Sequence, residues 1–399
     1  MAINKYHIII IAQLLSLISC KTHDQIYQLI TLNPKPSDDM TIDLENIIDN
    51  SNIVRLEGTN LTHVEKIFYL NGKYYIYNTD SETRYLSVCI YSENGLFIKD
   101  LSSYDHIIGN KWYIKDFYVD DNNIELLDRL GKKIIKFDIN GEYISTLKPL
   151  YSGSRFYKQS INSYIFYANA ADLKNKQEIK HFFCLKENNI QYTFAPIMDI
   201  FTLQGLEMLP NFFPIQGNTI SNRDILCCNL YNDTLYSINK DGINKKMLIH
   251  FPNKIKRDKI LTELNNDFSR SKLDYVVHEL SILLNSAEIT RGLNYYYEND
   301  KFIVLSYRYK NSRRLSFFDK SGQIIKEFNF PYLKDEFHYI FFTKDNDNLG
   351  IVASSPNTLI EKISNAKLST IFPEIQLGPE LNPIIITIPF QYFIPSFYK

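Results

Sequence analysis

The chain predicts an all-β fold, a six-bladed β-propeller closed by its own N- and C-terminal strands, with a helical insertion between blades 4 and 5. One observation behind this is a repeated turn: Tyr91-Ser92-Glu93-Asn94-Gly95, Phe137-Asp138-Ile139-Asn140-Gly141, Ile238-Asn239-Lys240-Asp241-Gly242 and Phe318-Asp319-Lys320-Ser321-Gly322. Each ends an apolar strand, turns on a polar side chain that can accept backbone N–H groups, and finishes on a glycine able to take positive φ. A second observation is period. Gly95, Gly141, Gly242 and Gly322 are spaced by 46, 101 and 80 residues, one, two and two units of about 40 to 50 residues, the length of a propeller blade. A weaker copy, Leu185-Lys186-Glu187-Asn188-Asn189, falls in the first double gap. Composition agrees: 29 Tyr and 26 Phe against 14 Gly and 14 Pro suit a strand-rich fold with a filled core.

From the N-terminus, residues 1–19 read as a signal peptide. Residues 8–19 form an apolar stretch broken only by Gln13 and Ser16 and preceded by Lys5. It is too short to span a bilayer comfortably but fits a signal-peptide core. Leu17-Ile18-Ser19-Cys20 resembles the lipobox of bacterial lipoproteins. That resemblance implies that Cys20 becomes the acylated N-terminus and that Lys21, in place of Asp, directs the protein to the outer membrane, on its periplasmic side or at the cell surface. An uncleaved signal anchor or a buried N-terminal segment is the alternative. Residues 20–40, polar with Pro34 and Pro36, read as a tether, and 41–399 as the propeller.

Within it, blade 1 is expected at 66–70, 73–78, 84–91 and 96–101, with Asn71-Gly72 as a hairpin signal. Blade 2 follows at 114–119, 124–128, 133–137 and 143–147, and blade 3 at 156–161, 164–168, 179–185 and 190–194. Blade 4 shows three clear strands at 224–230, 234–238 and 245–251; blade 5 runs through 293–328, and blade 6 begins near Tyr339. Residues 254–288 carry Ile260, Leu261, Leu264, Phe268, Leu273, Val276, Val277, Leu280, Leu283 and Leu284 at helical steps, a pattern that weighs toward a structural cap, with a lid or docking surface as the functional alternative. Because an open array would expose strand edges, residues 52–56 and 383–388 are expected to pair in one closing blade.

The lipobox, Ile53-Val54-Arg55-Leu56-Glu57, the repeated turn, Tyr231-Asn232-Asp233-Thr234-Leu235-Tyr236 and Asn382-Pro383-Ile384-Ile385 together resemble the six-bladed β-propeller lipoproteins of Gram-negative bacteria, related in architecture to NHL-repeat and TolB-like propellers. The family's Gly-Pro-Gly-Glu-Tyr-like loop between the first two blades is replaced here by residues 104–113. The resemblance implies a fold and an envelope location, not a defined activity.

Charge excludes one class of partner. Lys and Arg total 44 against 45 Asp and Glu, so no global field attracts a phosphate backbone, and no nucleic acid is expected. Membrane contact is expected through the lipidated Cys20 only, and the molecule is expected as a monomer or within an envelope complex. Cys89, Cys184, Cys227 and Cys228 could form disulfides in an export setting, but their positions favour buried free thiols.

The sequence holds no Gly-x-Ser-x-Gly elbow, His-Glu-x-x-His pair, Cys-x-x-Cys pair or glycine-rich phosphate loop, so no catalytic residue, metal or cofactor is assigned. The acidic stretches Asp120-Asp121-Asn122-Asn123 and Asp345-Asn346-Asp347-Asn348 read as hairpin turns rather than calcium loops. The positive clue is aromatic. Trp112, the sole tryptophan, adjoins Tyr113 in an inter-blade loop that also holds Tyr104 and His106, side chains suited to stacking on sugars or capturing peptide side chains. The plainer alternative, which large aromatics favour, is that Trp112 packs between blades. The expected function is a non-enzymatic, lipid-anchored binding or scaffold module for a glycan, peptide or envelope protein. The alternative, implied by NHL-like lyases and lactonases, is a metal-dependent lyase or hydrolase at the channel mouth, with His63, His106 and His338 as candidate ligands.

Overall fold

In the computed structural model the repeated turn takes one geometry at three of its four positions. Gly95, Gly141 and Gly322 have φ of 83°, 82° and 90°. Their amides donate to the carbonyls of Ser92, Asp138 and Asp319 at 3.0 Å each. Asp138 Oδ1 accepts the N–H groups of Asn140 and Glu142, and Asp319 Oδ1 those of Ser321 and Gln323, all at 2.8–2.9 Å. At the first copy Ser92 Oγ accepts the N–H of Leu96 at 3.1 Å. At the fourth, Asn239 pairs with Gly242 across a two-residue connection.

The structure describes residues 28–32, 44–59, 61, 63–79, 86–101, 114–128, 133–149, 155–160, 163–167, 180–186, 189–196, 215–217, 225–229, 232–239, 242–250, 290–309, 312–330, 337–343, 348–353 and 382–397. Strand β1 (Gln28–Thr31) and a short helix α1 (Leu44–Asp49) precede β2 (Asn52–Arg55). Blade 1 is β3 (His63–Leu70), β4 (Lys73–Thr79), β5 (Leu86–Ser92) and β6 (Phe97–Asp100). Blade 2 is β7 (Ile114–Val119), β8 (Asn123–Asp128), β9 (Ile134–Asp138) and β10 (Tyr143–Leu147). Blade 3 is β11 (Arg155–Ser160), β12 (Ser163–Tyr167), β13 (Lys180–Lys186) and β14 (Asn189–Pro196). Blade 4 is β15 (Ile215–Gly217), β16 (Ile225–Asn229), β17 (Asn232–Asn239) and β18 (Gly242–His250). Blade 5 is β19 (Thr290–Glu298), β20 (Phe302–Tyr309), β21 (Ser312–Asp319) and β22 (Ile324–Phe330). Strands β23 (Phe337–Thr343), β24 (Asn348–Ala353) and β25 (Ile384–Pro389) belong to blade 6.

Each blade is an antiparallel meander, and the innermost strands of neighbouring blades meet: β3 with β23, β7 with β11, β19 with β23 and β15. Between blades 4 and 5 this approach becomes a parallel pairing, Gln216 opposite Tyr295 and Gly217 opposite Tyr296, which merges the two blades into one sheet.

Ring closure follows the expected pairing. β2 lies antiparallel on β25 as the outermost strand of blade 6, with Ile53 opposite Ile386 and Val54 opposite Ile385. Asn382 locks the junction: its Nδ2 donates to the carbonyl of Leu56 and its Oδ1 accepts the N–H of Leu61, both at 3.0 Å. A short helix α2 (Phe390–Phe393) after β25 sets Phe390 against Tyr297, Phe302 and Phe317 of blade 5, and Phe393 against Phe317 and Phe328. Edge-to-face and offset aromatic pairs of this kind add to simple area burial, so the C-terminus fastens blade 6 to blade 5.

The structure departs from expectation at two short strands. β1 lies inside the 20–40 stretch read as a tether, and pairs parallel to β18 as a fifth, outer strand of blade 4. Ile30 and Leu32 are fully buried among Leu235, Met247, Ile249, Tyr307 and Phe318, each contributing up to about 1.5–3 kcal/mol by burial. β15, only three residues long, completes blade 4 where three strands were expected. The helical insertion expected at 254–288 lies outside the described residues. Among the described residues no helix is long and apolar enough to cross a membrane.

Candidate functional site

Two clusters of charged residues tie the first three blades together. Lys66 on β3 is almost wholly buried, and its Nζ donates to Asp116 Oδ1 and to the carbonyl of Phe117 on β7, both at 2.7 Å. The ammonium also lies 5.1 Å from the ring centroid of Phe68 and 5.5 Å from that of Phe117. Asp116 is in turn saturated by backbone: Oδ1 accepts the N–H of Phe117, and Oδ2 the N–H of Phe156 on β11 at 3.1 Å. One ion pair thus ties the innermost strands of three blades. A buried charge persists only when it is paired and hydrogen-bonded in this way.

A second cluster lies between blades 2 and 3. Lys158 on β11 reaches Asp120 Oδ2 at 2.6 Å and Glu125 Oε1 at 3.0 Å, and Lys136 approaches the same Glu125 oxygen at 3.3 Å. Burial would raise the Asp120 carboxyl, but the hydrogen bonds from Lys158 and from the N–H groups of Asn122 and Asn123 outweigh it and hold the group below its ordinary range. Burial would likewise lower Lys158, yet Asp120 and Glu125 raise it. Burial, then the neighbouring carboxylates Asp120, Glu125 and Asp121, push the Tyr118 hydroxyl up to about 12. The three lysines and three carboxylates of the two clusters neutralise one another, so the clusters are a fastening.

The channel mouth is different. Innermost strands β3, β7 and β23 each carry a bulge at their start, which leaves Glu65, Lys115 and His338 as the extra residues. Bulges re-aim side chains and gather beside functional sites. The blades repeat one strand order, and the parallel pairing of β15 and β19 shows neighbouring innermost strands running the same way, so strand starts share one mouth. Glu65 there is exposed and Lys115 half-buried. His63 is the first residue of β3. Among the described residues no three His, Cys, Asp or Glu side chains come together to hold a metal ion.

The ligand-binding candidates Tyr104, His106, Trp112 and Tyr113, and the lipidation candidate Cys20, lie outside the described residues. Both ends of the segment that holds the four are fixed. Leu101, buried, follows β6 at the rim of blade 1, and Ile114, buried, opens β7. The Tyr77 hydroxyl donates to the Ile114 carbonyl at 2.6 Å and pins that end. Of the other sequence readings, Asp120-Asp121-Asn122-Asn123 is a hairpin turn, with Asp120 Oδ1 accepting the N–H groups of Asn122 and Asn123, and Cys89 is a buried free thiol. Of the bulged residues the sequence singled out only His338, and it missed Glu65, Lys115 and the buried ion pairs; a lone Asp or Glu amid apolar residues, as in β7 and β8, was the available signal for the pairs.

No curated protein matches the chain in sequence. Solved structures match it in fold. A protein of Bacteroides fragilis NCTC 9343, described as exported, superimposes with a TM-score of 0.63 at 13% identity, covering 90% of this chain and 98% of that one. A DUF4221 family member from Bacteroides vulgatus gives a TM-score of 0.46 at 11% identity, covering 85% and 95%. BamB from Moraxella catarrhalis gives 0.39 at 10% identity, covering 84% and 98%. The family model DUF5128, described as a 6-bladed beta-propeller, matches residues 18–351, most of the chain and five of the six blades seen in the fold. The chain therefore belongs to the DUF5128 family of six-bladed β-propellers.

Proposed function

We propose that this propeller is a lipid-anchored module of the cell envelope, an outer-membrane lipoprotein acylated at Cys20, that binds a glycan, a peptide or another envelope protein without catalysing a reaction. An envelope setting is supported by the Leu17-Ile18-Ser19-Cys20 sequence and by likeness in fold to a protein described as exported.

The observation that carries the binding reading is one covalent junction. Ile114, the first residue of innermost strand β7, directly follows Trp112-Tyr113, and the next residue, Lys115, is the bulge. The aromatic pair is therefore attached at the mouth where Glu65 and Lys115 lie. Aromatic residues covalently joined to a strand start that carries an amine supply the stacking and hydrogen-bonding groups that sugars and peptides require.

Because Trp112 is the sole tryptophan against 29 tyrosines, emission excited at the red edge of the aromatic band, where tyrosine does not absorb, reports on this loop alone. Titration with peptidoglycan fragments, lipopolysaccharide core oligosaccharides and an unstructured peptide pool is expected to shift its emission saturably with at least one class. The shift should be lost in Lys115→Ala, with unchanged melting. Emission that stays constant with every class overturns the reading.

A further inference from the structure

The docked strand β1 bears on how the molecule sits at a membrane. Cys20 and Gln28 are eight residues apart, whereas Cys20 and Asn52, the first residue of closing strand β2, are thirty-two apart. At about 3.5 Å per residue, a chain held only from β2 lets the disc drift up to about 110 Å from the bilayer in any orientation, whereas one held from β1 limits that reach to about 28 Å. β1 is well held: four residues pair with β18, the N–H of Leu32 extends the ladder to the His250 carbonyl at 3.1 Å, and Ile30 and Leu32 are fully buried while Leu29 points to solvent, 57% exposed. The docking site is the outer edge of blade 4. In a ring of six, blade 1 lies diametrically across, three blades away in either direction. With strands about 4.8 Å apart, each outer strand lies about 14 Å beyond its inner one, so the two rims are at least about 30 Å apart.

We propose that β1 is an anchor clip: it holds the rim of blade 4 toward the lipid surface and turns the rim of blade 1, with exposed Leu96 and Ile98 on its outer edge, away from it. This rests on acylation of Cys20. The clip converts a long leash into a short one and gives the disc a fixed attitude, edge toward the bilayer, that leaves the channel mouth open from the side.

The test uses the full chain, purified with its lipid from the membrane fraction and reconstituted into phosphatidylethanolamine/phosphatidylglycerol vesicles that carry a rhodamine-headgroup acceptor. A donor dye is placed at Leu29→Cys or at Ile98→Cys, with the parent chain labelled in parallel as background. Radiolabelled palmitate is followed in the same preparations. Palmitate in the parent but not in Cys20→Ala, with energy transfer several-fold stronger from position 29 than from position 98, supports the clip. Inserting a Gly/Ser spacer of about twenty residues between Lys21 and Thr22 should leave melting unchanged and bring the two sites to parity. Palmitate present with equal transfer from both sites overturns the clip alone, while no palmitate in the parent overturns the anchoring reading and the clip with it.

Discussion

Lys66 of blade 1 and Asp116 of blade 2 form an ion pair 2.7 Å long in which both side chains are at least nine-tenths buried, and the carboxylate also accepts an amide from blade 3. The pair stands in for the strand-to-strand hydrogen bonds that separate blades lack. Removing one member strands the other's charge in an apolar wall, which costs about 3–5 kcal/mol. Lys66→Met should therefore lower the urea midpoint sharply. A midpoint within error of the parent would show that the pair is not a fastening.

Gly95 tests ring closure by the same measurement. Its φ is +83°, and a Cβ there would lie 1.8 Å from the Arg55 carbonyl oxygen, whereas at Gly72, with φ +70°, it would meet only the flexible Glu93 side chain at 3.5 Å. Gly72→Ala should cost about 1 kcal/mol, the ordinary cost of a side chain at positive φ. Gly95→Ala should cost clearly more, since Arg55 must move and it ends the closing strand β2. Equal losses would separate the turn from closure.

The Lys158–Asp120 pair predicts where stability depends on pH. Asp120 is depressed below its ordinary 3.8, so its contribution is complete above that pH and is lost as acid titrates the folded carboxylate. Lys158 is raised above its ordinary 10.5, so its contribution is complete below that pH and is lost as base titrates the folded ammonium. Melting temperature for the parent should fall away at both extremes relative to Lys158→Met, with a constant offset between. An offset that changes near neutrality would contradict this assignment.

Cys89 should be silent toward thiol reagents. Burial first, and then the Asp100 carboxylate, push its thiol up to about 12, leaving a thiolate fraction of about one in ten thousand at pH 8. Iodoacetamide followed by peptide mass analysis should modify it only after denaturation; rapid labelling of folded protein would show that the blade 1 core opens.

Much of the fold was legible because hairpins are local. The positions of Ser92, Asp138 and Asp319 before their glycines dictated turn geometry within five residues, and the polar turns that follow β7 and precede β10 marked strand limits that the structure reproduces. β1 was not legible: its partner β18 is more than two hundred residues away and parallel, so no turn signal joins them, and nearby Pro34 and Pro36 make the segment read as linker. β15 is too short to show a period. The Lys66–Asp116 pair was hidden because its members sit on separate sheets, and the bulges because one extra residue leaves no compositional mark. At the candidate site, the sequence singled out Trp112 and Tyr113 by chemistry and 114–119 as the strand that follows them, whereas the bulge at Lys115 shows only in the strand register.

The pairing of β2 with β25 has a temporal side. The ribosome makes Val54 early and its partner Ile385 only after nearly the whole chain has been synthesised, so blade 6 cannot be finished on a growing polypeptide. A product cut short before Ile384 lacks the partner of β2, and it presents proteases with an edge that β25 covers in the full-length molecule.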